Sequence, residues 1–312
     1  MSKVRNIQEV LHKYEPGSKI SLAELHFDGN DRMMTWQINN LCNFNCPYCG
    51  HYVNDDPYVY KYSPEHISSC FDKDGFTWHI IITGGEPFLH KNIIPVCKLL
   101  TRKHYISLNT NLSQANVYEF ADTIDPSQVL VINASVHFSV RKERNIFDDY
   151  IKKFLYLQQK GFNVVGSYVV YPASIDAFES DIEWLHAQGM KQVSSKVFEG
   201  EYNGKLYPDS YSEDELCKIT KHMCCEIEMP QYLRYRRFKG LRCSTGRLML
   251  SLKPNGDLER CLSEPTPLGN FFTGNYILPR HDKTCKTEIC TCPYQGMLYT
   301  YRKSCGLPLF KK

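Results

Sequence analysis

No stretch of this 312-residue chain approaches the ~18 consecutive apolar residues needed to span a bilayer. The first residues, Met1 to Gly17, are interrupted by Lys3, Arg5, Glu9, Lys13 and Glu15, so they lack the apolar core of a secretory signal. Charge of one sign is missing too. With 37 Lys+Arg against 34 Asp+Glu, the net +3 is too small for the basic stripe of a nucleic-acid binder. There is no internal repeat and no low-complexity linker. A composition of 42% hydrophobic and 23% charged residues excludes a disordered or collagen-like chain. These absences predict a soluble cytoplasmic protein, one large domain or one domain with a small appendage, with neither membrane nor nucleic acid among its partners.

Cysteine, by contrast, is abundant: there are fourteen. In a reducing compartment, thiols grouped at short spacing are more often metal ligands than disulfides. The groups are Cys42/Cys46/Cys49 and, far downstream, Cys243, Cys261, Cys285, Cys290, Cys292 and Cys305. Cys70, Cys97, Cys217, Cys224 and Cys225 lie mostly in helical patterns and read as small hydrophobes.

Apolar runs alternate with helical periods along most of the chain. Strands are expected at 19–27, 33–38, 78–83, 105–109, 129–137, 163–170 and 192–198. Helices are expected around Ile93–Leu100, Gln114–Asp122, Tyr150–Lys160, Phe178–Leu185 and Glu213–Cys225, with Gly161 and Gly189 as stops. Near-continuous apolar strands separated by helices imply a parallel sheet covered by helices, with six β/α units from Met33 onward. After about residue 235 the pattern changes. Leu248–Leu252 and Leu258–Leu262 flank an Asn255-Gly256 turn and predict a hairpin. The Cys-, Pro- and Gly-rich remainder buries little core and calls for a metal or disulfide staple. The expected division is 1–32 as an N-terminal extension, 33–235 as the α/β portion and 236–312 as the Cys-rich portion.

The run Cys42-Asn43-Phe44-Asn45-Cys46-Pro47-Tyr48-Cys49 is C-x3-C-x2-C at the end of a strand. Structural zinc wants four ligands, and no fourth continues the spacing. A four-iron cluster held by three thiolates would leave one iron open for a small molecule. This run, with Tyr48 before its last cysteine, resembles the signature of the radical S-adenosylmethionine (radical SAM) superfamily. Thr83-Gly84-Gly85-Glu86-Pro87, after the next strand, is similar to that superfamily's Gly-Gly-Glu motif. The resemblance implies a partial (β/α)6 TIM-like barrel, with active residues at the C-terminal strand ends. Its cofactors would be a 4Fe–4S cluster on Cys42, Cys46 and Cys49 and S-adenosylmethionine (SAM) chelating the open iron. Gly84, Gly85, Glu86 and Pro87 would face the methionyl part, and Tyr48 the adenine. Asn111, Ser135 and His137 would hold ribose and carboxylate, with Ser167 and Tyr168 further candidates on the adenine side. Reductive cleavage of SAM would then give a 5′-deoxyadenosyl radical able to take hydrogen from an unactivated C–H bond.

Cys243-x17-Cys261 with Gly256-x4-Cys261 inside it, followed by Cys285-x4-Cys290-x-Cys292, resembles the auxiliary-cluster domains called SPASM and twitch. The shorter twitch form fits the cysteine count better. The ligands would come from Cys243, Cys261, Cys290 and Cys292, with Cys285 as the alternate and Cys305 a distant possibility; a structural zinc is the competing occupant. A fully ligated auxiliary 4Fe–4S cluster suits electron transfer, which favours dehydrogenation of a small polar metabolite such as a sugar, aminocyclitol or nucleotide-sugar. An epimerase, with a free thiol such as Cys285 or Cys305 returning hydrogen, and a peptide-modifying maturase are the enzymatic alternatives. A zinc-stabilised binding module is the remote one. Lys196, Glu199, Tyr171 and Arg247 are candidate bases. A flavodoxin- or ferredoxin-type electron donor would be a partner.

Overall fold

The computed structural model describes residues 31–49, 61–223, 239–240 and 242–287. The first expected strand, 19–27, lies outside them. Six strands are parallel neighbours in chain order: β1 (Asp31–Asn39), β2 (Thr77–Gly84), β3 (Tyr105–Thr110), β4 (Val129–Ser135), β5 (Val164–Val170) and β6 (Val193–Val197). Helices cover one face. They are α1 (Pro64–Asp72), α2 (Ile93–Leu100), α3 (Val117–Thr123), α4 (Phe138–Arg144), α5 (Phe147–Gln159), α6 (Phe178–Ala187) and α7 (Glu213–Lys221). The antiparallel hairpin β7 (Gly200–Tyr202) and β8 (Lys205–Tyr207) precedes α7. The expected α/β architecture is present. Among the described residues no helix is long and apolar enough to cross a membrane.

Local sequence explains the elements. Ser63 caps α1, accepting from the His66 N–H at 3.2 Å, and Pro64 occupies the first turn. Ser212 and Glu215 form a reciprocal capping box on α7. In α5 the stripe Tyr150, Phe154 and Leu157 is buried, and Gly161 ends the element at φ +88°. Trp78, Ile80 and Ile82 of β2 and Ile106 and Leu108 of β3 point into the same core between sheet and helices.

The sheet does not stop at the six strands. On its other side β1 pairs in parallel with β10 (Met249–Leu252), Met33 beside Met249 and Trp36 beside Leu252. The antiparallel strands β11 (Asp257–Glu259), β12 (Pro267–Asn270) and β13 (Asn275–Tyr276) then extend it to ten. The Asn255-Gly256 turn joins β10 to β11 as expected, with Gly256 at φ +88°. Phe271 packs 4.8 Å from Phe71 of α1, and Phe272 6.0 Å from Trp36 of β1. A small ribbon of β9 (Arg242–Cys243) and β14 (Lys283–Thr284) lies apart from the large sheet.

One buried polar pair sits low on the sheet face away from the helices. His79 Nε2 lies 2.8 Å from Ser107 Oγ, and burial holds the imidazole pKa down to about 3. A histidine in the unfolded chain titrates near 6.5. The unfolded state therefore takes up the proton first. The neutral ring's contribution is complete above about pH 6.5 and is lost as pH falls toward 3. From pH 7 to pH 5 this one site should lower folding stability by ~2 kcal/mol. Denaturant melts at the two pH values should show that loss, and His79→Leu should remove most of it; an unchanged slope in the variant would refute the assignment.

Candidate active site

The cysteine loop starts where β1 ends, and three neighbouring strand ends hold it down. Gly85 N–H donates to the Asn39 carbonyl at 3.0 Å and Glu86 N–H to the Leu41 carbonyl at 2.6 Å. Asn39 Nδ2 returns a bond to the Glu86 carbonyl at 3.0 Å. A Cβ at Gly84 or Gly85 would overlap the backbone of Asn39, Asn40 or Leu41, and Gly84 has φ +143°. The close approach that these glycines permit is thus to the stem of the cysteine loop.

Glu86 is fully buried. Its Oε1 accepts from Thr110 Oγ1 at 2.7 Å and Phe88 N–H at 3.0 Å, and its Oε2 from Asn111 N–H at 2.6 Å. The carboxylate therefore locks the end of β2 to the end of β3, and Pro87 opens a buried 3-10 turn beside it. Burial raises the carboxyl pKa against these three donors. Asn111 is committed as well, its Nδ2 donating to Asn43 Oδ1 at 3.1 Å. Asn43 Nδ2 in turn reaches Ser113 Oγ at 2.9 Å, so the middle of the loop is tied to the chain after β3.

From the other side α4 supplies two guanidinium groups. Arg141, buried, donates from Nε to the Val136 carbonyl at 2.6 Å and from Nη2 to the carbonyls of Ser135 and Asn111. It also lies over Phe44 at 5.1 Å and Tyr150 at 3.9 Å. Desolvation lowers its pKa to about 10, which leaves it charged at neutral pH. Arg144 donates to the Asn43 carbonyl at 3.0 Å and covers Phe44 at 5.1 Å. Neither arginine is marked in the sequence, where Arg-Lys-Glu-Arg reads as a solvated face. The expected strand 129–137 in fact ends at Ser135. His137, at φ +46°, turns the chain into α4 and so brings the arginines back over the loop.

Cys42 is half-buried, Cys46 buried and Cys49 exposed, and the Cys49 N–H closes a turn onto the Cys46 carbonyl at 3.1 Å. The Cys46 thiol is pushed up to about 12, by burial first and then by Cys49 and Cys42 beside it. Thiols that hinder each other's ionisation sit close together, and a bound cation reverses that penalty. Among the described residues no three such groups crowd one ion-sized point. A cubane asks for less, one thiolate at each of three separate irons. The three-thiol loop fits that group.

His137 Nδ1 faces both the Tyr48 hydroxyl at 2.8 Å and the Cys46 sulfur at 3.1 Å. The Tyr48 ring stacks on His137 with centroids 6.0 Å apart and meets Tyr171 at 5.3 Å. These rings border a cavity of about 170 Å³ whose wall also includes Lys142, Tyr168 and Asp181. Tyr168 Oη donates to Asp181 Oδ2 at 2.6 Å. Ser135, the last residue of β4, is paired in register with Ser167 in the middle of β5. Of the candidate bases, Tyr171 borders the cavity and Lys196 pairs in register with Val169, another wall residue. Arg247 is elsewhere, ion-paired to Asp282 through Nε at 2.8 Å and Nη2 at 2.6 Å.

Residues 36–185 match the model of the Radical SAM superfamily. They are a radical SAM domain. The family of that domain uses a 4Fe–4S cluster and SAM. The fold of the chain is similar to that of SuiB from Streptococcus suis, solved with SAM bound, at 14% identity and a TM-score of 0.58 over 78% of this chain. The match spans 64% of the SuiB chain. It is also similar to anSMEcpe with bound AdoMet, at 14% identity, TM-score 0.52 and 78% of each chain. No curated protein matches in sequence.

The second cysteine group is only partly described. In the β9–β14 ribbon Cys243 stands opposite Lys283, so Cys243 and Cys285 belong to one face. Cys261 is buried, its sulfur accepting from the Glu264 N–H at 3.2 Å, and Cys285 Sγ lies 3.1 Å from Thr287 Oγ1. Cys290, Cys292 and Cys305 lie outside the described residues.

Proposed function

We propose that this radical SAM enzyme dehydrogenates a small polar metabolite, a sugar, aminocyclitol or nucleotide-sugar, by a two-electron C–H oxidation. The observation that carries the site is the three-thiol loop, stitched by Glu86, Asn43 and Arg141 to the strand ends beside the Tyr48 cavity. When bound, cluster and SAM supply a 5′-deoxyadenosyl radical that removes one hydrogen from the substrate.

Cys42, Cys46 and Cys49 would hold the cluster. The backbone at Gly84–Pro87 would meet the methionyl group, with Glu86 and Asn111 as positioning residues that keep that edge against the loop. Tyr48, Ser135 and His137 would contact the adenosyl part, and Tyr168 and Asp181 would close its cavity. Exclusion of water there protects a reactive centre from stray hydrogen donors. Tyr171 and Lys196 are the bases nearest to that cavity.

In the same reading Cys243, Cys261, Cys290 and Cys292, with Cys285 as the alternate, would hold an auxiliary 4Fe–4S cluster that would take the electron left on the substrate once a base has removed its proton. A flavodoxin- or ferredoxin-type protein in the cytoplasm would supply the separate electron for the reductive cleavage of SAM, the substrate's first electron leaving with the abstracted hydrogen atom. Cys261→Ala is expected to keep SAM cleavage while substrate oxidation stops. 5′-Deoxyadenosine and product would be assayed together under dithionite after anaerobic reconstitution. Normal product yield from the variant would remove the acceptor role.

A further inference from the structure

We infer that the sheet face away from the helices is built to bind a neutral, hydroxyl-rich small molecule, an inference that rests on the radical SAM oxidation proposed above. Burial alternates along β4 and along the C-terminal halves of β2 and β5. On one face are the core residues, and on the other half-buried positions. Parallel barrels ordinarily fill that second face with layers of bulky branched side chains. Here its upper half carries Gln37 beside Thr83, Asn109 beside Asn133, and Ser135 beside Ser167, one band across five strands. The two serines would border the adenosyl part, which leaves Gln37, Thr83, Asn109 and Asn133 to face the substrate. All six are half-buried. One layer lower, Thr35, Ser107 and Ser251 are buried and close the floor.

These six share one chemistry, while Val165, in register with Asn133, and Ile81 and Val169 are the apolar members of the same face. Each of the six is an amide or a hydroxyl, groups that both donate and accept, as a substrate hydroxyl does. Asn133 Nδ2 donates to Asn109 Oδ1 at 2.9 Å, which orients the central pair and leaves each amide with further capacity. No Asp, Glu, Lys or Arg occupies this face of β1 to β5 from Gln37 outward. Lys196 on β6, in register with Val169, is the charged group beside this band and already holds the role of a base. An ammonium substrate would find no carboxylate on this band, and a phosphate no cation. Small side chains leave room, and half-buried amides, once a ligand covers them, penalise one that cannot pair with them. The metabolite class thus narrows to a polyol or neutral sugar, away from aminocyclitols and nucleotide-sugars.

The test uses the reconstituted full chain with SAM, dithionite and a perdeuterated cell extract split by ion exchange into neutral, cationic, anionic and peptide fractions. Breaking a substrate C–D bond places deuterium at C5′ of 5′-deoxyadenosine and leaves the radical on the substrate carbon. Deuterated 5′-deoxyadenosine is expected from the neutral fraction alone, and periodate, which cleaves vicinal diols, should abolish it. Asn109→Leu with Asn133→Leu removes both partners of one hydrogen bond together, a change close to neutral for folding. A melting scan checks that, and label transfer should fall at least tenfold. Label from a charged or peptide fraction, label surviving periodate, or unlabelled 5′-deoxyadenosine from all fractions overturns the substrate class while sparing the radical reading. Formation of no 5′-deoxyadenosine at all overturns the radical reading itself.

Discussion

Replacing Cys42, Cys46 and Cys49 together by alanine should remove about four irons per chain, with their sulfide, and abolish SAM cleavage. The loss is expected to be complete because no other thiol is described within this loop, and a cluster without its ligands has no anchor. The fold should survive. The loop is fastened by Asn43, by Phe44 between Arg141 and Arg144, and by the Gly85 and Glu86 amides, none of which depends on sulfur. Removing these mutually hindering thiols, of which only Cys46 is buried, does not cost the apoprotein an ion pair. Iron and sulfide content, the melting curve and 5′-deoxyadenosine yield are the three readouts. Cys217→Ala, an exposed thiol on α7, is the control and should match the unaltered chain in all three. SAM cleavage persisting in the triple variant would sink the cluster assignment.

Much of this site is legible in sequence because it is local. Three thiols within eight residues and a Gly-Gly-Glu run after the next strand place their chemistry without long-range information. The alternation of Ile-rich strands with amphipathic helices likewise carries the parallel sheet, since each period depends only on neighbours in the chain. What escaped depends on contacts distant in sequence. Nothing in Met249–Leu252 announces that it pairs in parallel with Met33–Trp36 rather than only with its hairpin partner. Arg141 stands in the charged run Arg-Lys-Glu-Arg, but α4 begins after only two intervening residues beyond β4 and brings it back over the loop. The α1 helix carries a start signal in Ser63-Pro64, but its buried stripe is only Ile67 and Phe71, too short a period to stand out in the sequence. Glu86 shows the converse error of emphasis. The motif marks the right residue, but its carboxylate is used inside the protein, where three donors already meet it.

Gly85→Ala should be the most damaging single methyl group in the molecule. A Cβ there would overlap the carbonyl of Leu41 and approach that of Asn40, and neither is a flexible side-chain end that can swing aside. Relief requires the stem of the cysteine loop to move off β2. That breaks the Gly85 bond to Asn39 and the Glu86 bond to Leu41, and it leaves buried Asn39 without its partner at Glu86. Overpacking against backbone together with lost buried hydrogen bonds puts the cost above ~3 kcal/mol. Displacement of the loop should also lower iron incorporation, so the variant should fail in both stability and cluster content. Gly204→Ala, in the β7–β8 turn, isolates the cost of backbone conformation. It has φ +73° but no atom within 4 Å of the added carbon, and strain of about 1 kcal/mol with full iron loading is expected. If Gly85→Ala instead melts and loads iron like Gly204→Ala, the glycine pair does not position the loop. The motif would then act only through whatever binds beside it.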